Sequence, residues 1–291
     1  MVSLVTRNIA LLILVVAGFI SCNQLSGISF FPSIPGYPNQ PTSTLLLKKS
    51  LREISGISFH SKDQLVAIND EQGKLFLLTT ATGKINTLSF GKKGDYEDIA
   101  RTPEGYYVIR SDGSLFLLDG RTGQQLADYP LQFSRHTEFE SICYDDTNNR
   151  LLLICKNCGK QEPVVTVWAF NLDTHQLEEQ PVMQIGWEIF RQLGKDDTIE
   201  FQPSAAAFHP VTGKLFLLSS TAKMLAVCTR EGKPEAVYGL NPDLFQQPEG
   251  LCFSPGGDLY ISNEGRQSKA SLLYFAFDPL LTGITTQTEK R

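Results

Sequence analysis

Apolar residues along this chain come in short, nearly continuous runs and not at helical spacing. Leu65-Val-Ala-Ile, Tyr106-Tyr-Val-Ile, Leu151-Leu-Leu-Ile, Leu215-Phe-Leu-Leu and Leu259-Tyr-Ile follow turn signals such as Ser61-Lys-Asp, Pro103-Glu-Gly and Pro255-Gly-Gly. Runs this short between turns fit strands buried on both faces. After a polar loop comes a further strand: Leu75-Phe-Leu-Leu, Leu115-Phe-Leu-Leu, Val165-Thr-Val-Trp or Leu272-Leu-Tyr-Phe. Thr82-Gly83, Thr122-Gly123 and Glu231-Gly232 then turn the chain into another.

Each unit opens on a related segment. These are Glu53-Ile-Ser-Gly-Ile-Ser-Phe-His60, Tyr96-Glu-Asp-Ile-Ala-Arg101, Phe139-Glu-Ser-Ile-Cys-Tyr-Asp145, Pro203-Ser-Ala-Ala-Ala-Phe-His209 and Pro248-Glu-Gly-Leu-Cys-Phe-Ser254. Alignment puts Ser55, Glu97, Glu140, Ser204 and Glu249 in one column, at spacings of 42, 43, 64 and 45 residues. A period in the low forties suits one four-stranded propeller blade. The fifth unit runs out of chain after its third strand, while Thr44-Leu-Leu-Leu-Lys-Lys lies unassigned before the first unit. Pairing that segment into the last blade closes the ring and removes two exposed edges. The long third interval holds an insert near 180–200, in which Trp187-Glu-Ile-Phe-Arg-Gln-Leu-Gly194 predicts a short helix. The expectation is an all-β, five-bladed β-propeller over residues 44–282, with six blades as the alternative if the insert hides a degenerate one.

Blade geometry sends the start of the inner strand and the loop after the second strand to the same face. The column Ser55, Glu97, Glu140, Ser204, Glu249 should therefore meet the loop set Asp70-Glu71, Arg110-Ser-Asp112, Lys156-Asn157, Ser220-Thr221 and Asn263-Glu264 at the channel mouth. Several carboxylates facing one channel repel one another, and burial raises their pKa values unless something compensates. A hard divalent cation such as calcium is a natural compensator. Glu97, Glu140 and Glu249 are thus candidate metal ligands, with Asp70, Asp95 and Asp98 close by. Ser55, Asp70, Arg110, Lys156, Ser204, Asn263 and Glu264 are candidate ligand-binding residues. The alternative is that each glutamate accepts backbone N–H bonds from the next blade and locks the ring, with Arg110 and Lys156 neutralising the acidic cluster.

Composition narrows the class. The chain has 291 residues, 42% of them hydrophobic, and a formal net charge of −5. That bounds an ordinary globular body and argues against nucleic acid as a partner. Arg7 and the apolar run Ile9–Ile20 end at Ser21-Cys22. The run suits a signal peptide over residues 1–21 better than a spanning helix. Its terminal cysteine resembles the lipobox of bacterial lipoproteins, in which that thiol is acylated. Residues 22–43 then contain the lipidated Cys22 and a Pro-rich tether with Pro32, Pro35, Pro38 and Pro41, and residues 283–291 form a polar tail. The expected location is the cell envelope, anchored to a membrane, with the body outside the cytoplasm.

Other motifs add little chemistry. No nucleophile elbow, P-loop, zincin motif or dinucleotide fingerprint occurs. His60 and His209 fall on the face opposite the glutamates and His175 near the outer edge, leaving His136 nearest the mouth. Cys143, Cys228 and Cys252 read as small buried thiols. Cys155-Lys-Asn-Cys158 is a weak zinc signal and, in an oxidising compartment, a possible disulfide.

From Leu51 to Phe277 the chain resembles the SdiA-regulated family of bacterial envelope proteins, related to the phytase-like propellers. The resemblance rests on Ile54-Ser-Gly-Ile, Tyr96-Glu-Asp-Ile, Phe139-Glu-Ser-Ile and Gln247-Pro-Glu-Gly-Leu, in that order. Pro203-Ser-Ala-Ala departs from the usual Ser-Gly-Leu. No settled activity comes with the family, but the phytase-like relatives imply calcium and phosphate esters. The leading expectation is a ligand- and divalent-cation-binding module at the mouth. One alternative is a calcium-dependent phosphoric ester hydrolase, with Arg110 or Lys156 holding phosphate; another is a protein-interaction scaffold.

Overall fold

Five antiparallel sheets succeed one another along the chain and form the five blades of a β-propeller. The structure is a computed structural model that describes residues 33–134, 136–158, 163–266 and 268–282. The expected signal segment, the lipid site Cys22 and the polar tail lie outside the described residues.

Blade one comprises strands Ile54–Ser61, Gln64–Asn69, Gln72–Thr79 and Lys84–Lys93, from the channel outward. Blade two repeats the order with Tyr96–Arg101, Tyr106–Arg110, Leu115–Leu118 and Gln125–Tyr129. Blade three has Thr137–Asp145, Arg150–Cys158 and Val164–Asn171, and its outer edge is split between Gln176–Leu177 and Met183–Gly186. Blade four has Ala205–Phe208, Leu215–Ser219, Met224–Cys228 and Pro234–Gly239. Blade five has Pro248–Phe253, Leu259–Asn263 and Ser271–Phe275, completed on its outer edge by the early strand Ser43–Leu46. Ser43 pairs Tyr274 and Leu46 pairs Ser271, so an N-terminal strand closes the ring as expected.

The second strands are buried on both faces because each blade is sandwiched between two others. Ile68, Leu75, Tyr96 and Val108 fill the space between blades one and two. Leu152, Val167, Ala206 and Leu217 do so between blades three and four. Each of these leucine, isoleucine and valine side chains contributes roughly 1.5–3 kcal/mol by leaving water. The insert after blade three is no sixth blade. It supplies the split edge strand and the helix Trp187–Gly194, which is capped by Lys195 in the left-handed region and buries Phe190 against Phe201.

The described part of the Pro-rich segment lies against the body. Tyr37 is 2% exposed, donates its hydroxyl to the Gly257 carbonyl at 2.6 Å and packs on Phe277 and His209. Among the described residues no helix is long and apolar enough to cross a membrane.

Candidate functional site

The residues of the repeat column share one backbone distortion. Pairing runs from Ile54↔Asn69 to Gly56↔Ile68, and from Tyr96↔Arg110 to Asp98↔Ile109. It runs likewise from Phe139↔Cys155 to Ser141↔Ile154, and from Pro248↔Asn263 to Gly250↔Ser262. Ser55, Glu97, Glu140 and Glu249 are the residues set aside by these β-bulges. A bulge takes a residue out of the pleat and re-aims its side chain, and all four line one cavity at the channel mouth. Ser204, the fifth member, sits just ahead of its strand and lines the same cavity.

The cavity has a volume of about 380 Å³ and gathers the carboxyls of Glu53, Asp70, Glu97, Glu140, Glu249 and Glu264. Its basic groups are Lys156, Lys223 and Arg266, and Gln202, Gln246, Gln247, Ser220 and Thr221 add neutral polar groups. The far end of the channel is different. There a cavity of about 470 Å³ is lined mainly by apolar residues, including Ile57, Phe59, Ile142, Phe208 and Leu251, with Arg101 and Arg230 beside them.

Crowding and burial perturb the acids at the mouth. Burial, then Glu140 and Asp95, pushes Glu97 up to about 9. Burial, then repulsion from Glu140 and Glu264, takes Glu249 up to about 7 despite a bond from Gln247. Asp70 rises to about 6 through burial and the charges of Glu53, Glu71 and Glu264, and its Oδ1 is buried with no partner among the described residues. Burial also raises Glu140, opposed by Lys156, whose Nζ lies 2.5 Å from Glu140 Oε1. Burial works against charge on Lys156, but Glu140, Glu249 and Glu97 outweigh it and hold its pKa above the usual value.

Bonds between blades come from the two serines of the column and from Asp98 beside it. Ser55 Oγ donates to Tyr96 O and Ser204 Oγ donates to Pro248 O, both at 2.8 Å. Asp98, beside the bulge, faces away from the mouth and is 3% exposed. Its carboxylate accepts from Ser141 Oγ at 2.8 Å and from the Ile142 N–H at 3.0 Å in the next blade, and from the Ile99 N–H at 2.8 Å. Two of the other expected residues do not reach the cavity. Arg110 pairs with Asp112 at 3.0 Å, and Asn263 is buried, donating to Leu244 O and Ser271 Oγ. His136 lies outside the cavity lining too. Cys155 and Cys158 form a disulfide, and Cys143, Cys228 and Cys252 are free and buried.

Glu53, Lys223 and Arg266 were not singled out from sequence. Lys223 and Arg266 lie in the same second-to-third-strand loops as Ser220 and Glu264, only a few residues on, so extending the loop set would have found them. Glu53 precedes the column by two residues, where the other repeats carry Asp95, Glu138, Gln202 and Gln247. Reading that second polar column, of which Gln202 and Gln247 also line the cavity, would have found it.

The donor set is of the hard-oxygen kind that calcium takes. Among the described residues, however, no three His, Cys, Asp or Glu side chains converge as ligands of one metal ion. The carboxyls stand round the wall of a cavity.

No curated protein matches the chain. Among solved structures, one in a nidogen/laminin complex aligns at 14% identity over 72% of each chain, with a TM-score of 0.46. A catalytically inactive virginiamycin B lyase from Staphylococcus aureus, with quinupristin, aligns at 13% identity over 76% of this chain and 66% of its own, with a TM-score of 0.44. At such identities and scores neither likeness bears on function. The model of the SdiA-regulated family matches residues 44–267, which include all five bulged or aligned positions of the column. The chain belongs to the SdiA-regulated family.

Proposed function

We propose that this propeller is a binding module whose acidic mouth takes a ligand bearing positive charge, either a cationic group of its own or a divalent cation such as calcium bound with it. The observation that carries this reading is the imbalance at the mouth: six carboxyls face three basic groups in one cavity. The buried and unpartnered Oδ1 of Asp70 supports it, since an orphaned acceptor favours a ligand that brings a donor or a cation. A positive charge offsets the burial and the mutual repulsion that raise Glu97 and Glu249. Because no three carboxyls converge, a cation there would keep water or ligand oxygens in its shell, as calcium commonly does.

The proposed setting is the cell envelope, with the body outside the cytoplasm and a lipid on Cys22. Support comes from the Ser21-Cys22 motif after an apolar run, and from a Cys155–Cys158 disulfide that suits an oxidising compartment. Acyl labelling of the full chain against Cys22→Ser tests the anchor, and absence of label on the wild type ends that part of the reading.

Calorimetric titration of calcium into the metal-free body, repeated on Glu97→Gln/Glu249→Gln, tests the mouth. Saturable binding with proton release, lost in the folded double variant, is the expected result. A folded wild type that binds neither calcium nor a simple diamine at pH 8 overturns it. Release of phosphate from esters in the same samples would move the reading to a hydrolase.

A further inference from the structure

Blade three departs from its neighbours at one point on the mouth. In blades one, two and five the inner strand is bulged near the mouth, at Ser55, Glu97 and Glu249, while the strand facing it stays regular there. In blade three both strands are bulged. Glu140 is set aside between Phe139↔Cys155 and Ser141↔Ile154, and Lys156 is set aside between Phe139↔Cys155 and Glu138↔Asn157. Pairing then continues to Thr137↔Cys158.

The second bulge has two consequences. In an unbroken strand, residues three apart point to opposite faces. One extra residue reverses that parity, so Cys155 and Cys158 come to the same side and are joined, with Cα atoms 6.0 Å apart. The extra residue itself is Lys156, freed from the ladder, with its ammonium on Glu140 at 2.5 Å. The crosslink and the ion pair therefore arise from the same backbone distortion.

The repeat shows what is unusual about the charge. Asn69, Cys155 and Asn263 all pair with the residue just before the bulged column position. The next residue is Asp70 in blade one and Glu264 in blade five, but Lys156 in blade three. A cation thus occupies a repeat position that carries an acid at the cavity in blades one and five and the neutral Ser111 in blade two.

We infer that the Cys155–Cys158 disulfide is the positioning device for Lys156, fixing the bulge that holds this ammonium against Glu140 and so setting the charge balance of the mouth. With the bridge closed, the cavity wall has three basic groups; with it open, the bulge is released and Lys223 and Arg266 remain. The geometry stands by itself, and only its consequence for binding rests on the mouth being the ligand site. A cation competing for these carboxyls meets Lys156 in the closed form and not in the open one.

The test follows the Glu140 carboxyl by NMR titration and needs no ligand, so its failure is separate from failure of the binding reading. The charges facing Glu140 are Asp95 of blade two, Glu97 on the neighbouring inner strand, Glu138 on its own strand, Glu249 and Lys156. Lys156 is the attractive one among them, holding Glu140 below the value that burial alone would give. The titration is compared in the oxidised wild type, the dithiothreitol-reduced wild type, Cys158→Ser and Lys156→Met. Cys158 is half-buried, so Cys158→Ser opens the bridge while buried Cys155 stays in place. The expected result is an upward shift of Glu140 in the reduced protein and in Cys158→Ser, matching that in Lys156→Met. Reducing Lys156→Met should add no further shift. An unmoved Glu140 in a bridge-open protein with the native amide spectrum of blades one and five overturns the inference. So does loss of that spectrum in both bridge-open forms, which would make the bridge a general staple of the fold.

Discussion

The Asp98 carboxylate receives the Ser141 hydroxyl at 2.8 Å across the junction between blades two and three, and neither residue is more than 3% exposed. The same carboxylate takes the Ile142 N–H, so one side chain satisfies two donors of the next blade. Asp98→Ala should leave both unsatisfied and cost about 2–6 kcal/mol in urea or guanidinium unfolding, at about 1–3 per orphaned buried donor. Gly56→Ala should weaken the neighbouring junction, because its Cβ would stand 2.5 Å from Asp98 Oδ1 and 2.7 Å from the Asp98 Cα.

Stability should fall as pH rises. Burial pushes Asp98 up to about 8, against three donors that favour its charged form. Glu97, Glu249 and Asp70 are raised to about 9, 7 and 6 from ordinary values of 4.5, 4.5 and 3.8. A carboxyl with a raised folded pKa binds more protons folded than unfolded. Its contribution is complete below the unfolded pKa and is lost as pH climbs through the folded one. Thermal unfolding midpoints should therefore decline between about pH 4 and pH 9. A midpoint that stays flat across that range in metal-free buffer would count against the protonated mouth.

Glu97→Gln/Glu249→Gln should raise the unfolding midpoint at pH 8 while lowering affinity for cations. Both changes remove repelling charge, and a glutamine at 249 keeps an oxygen for the bond from Ser220 of blade four, while Ser55, Ser204 and Asp98 make other blade-to-blade bonds. A double variant that is destabilised at pH 8 would instead assign these glutamates to holding the ring.

The two serines of the column are separate staples. Ser55→Ala and Ser204→Ala each remove a buried hydroxyl bond to the next blade, to Tyr96 O and Pro248 O. Each should cost about 1 kcal/mol. Because they sit in different junctions, their effects in the double variant should add to within about 0.5 kcal/mol. Chemical denaturation of the singles and the double checks both statements.

Tyr37 gives the Pro-rich segment a structural share in the body. Tyr37→Ala should cost about 3–5 kcal/mol, as large aromatic truncations do in packed surroundings. Tyr37→Phe should cost about 1 kcal/mol through the lost bond to Gly257 O. Equal stability of all three proteins would mean that this segment only lies on the surface.

The architecture was legible in the repeat. Short apolar runs between turns, repeated about every forty residues, can bury both faces only if each unit is packed between copies of itself, which is a ring of blades. The same column and loop positions brought Ser55, Asp70, Glu97, Glu140, Lys156, Ser204, Glu249 and Glu264 to one cavity, because equivalent positions in a repeat share a place in space. The sequence also offered a closing strand in Thr44-Leu-Leu-Leu-Lys-Lys, which pairs as Ser43–Leu46, and the helix Trp187–Gly194.

Strand register and contacts between blades set which neighbours carry load and which carry charge. A one-residue difference along a strand switches the face that a side chain takes. Bulges turn Glu97 to the mouth and leave Asp98 inside the junction, though the sequence presents them as an adjacent acidic pair. The pull of Asp112 on Arg110, the burial of Asn263 and the second bulge that joins Cys155 to Cys158 around Lys156 likewise depend on register and on contacts between strands. The repeat specifies the ring, while the local breaks in its pairing specify what the mouth presents.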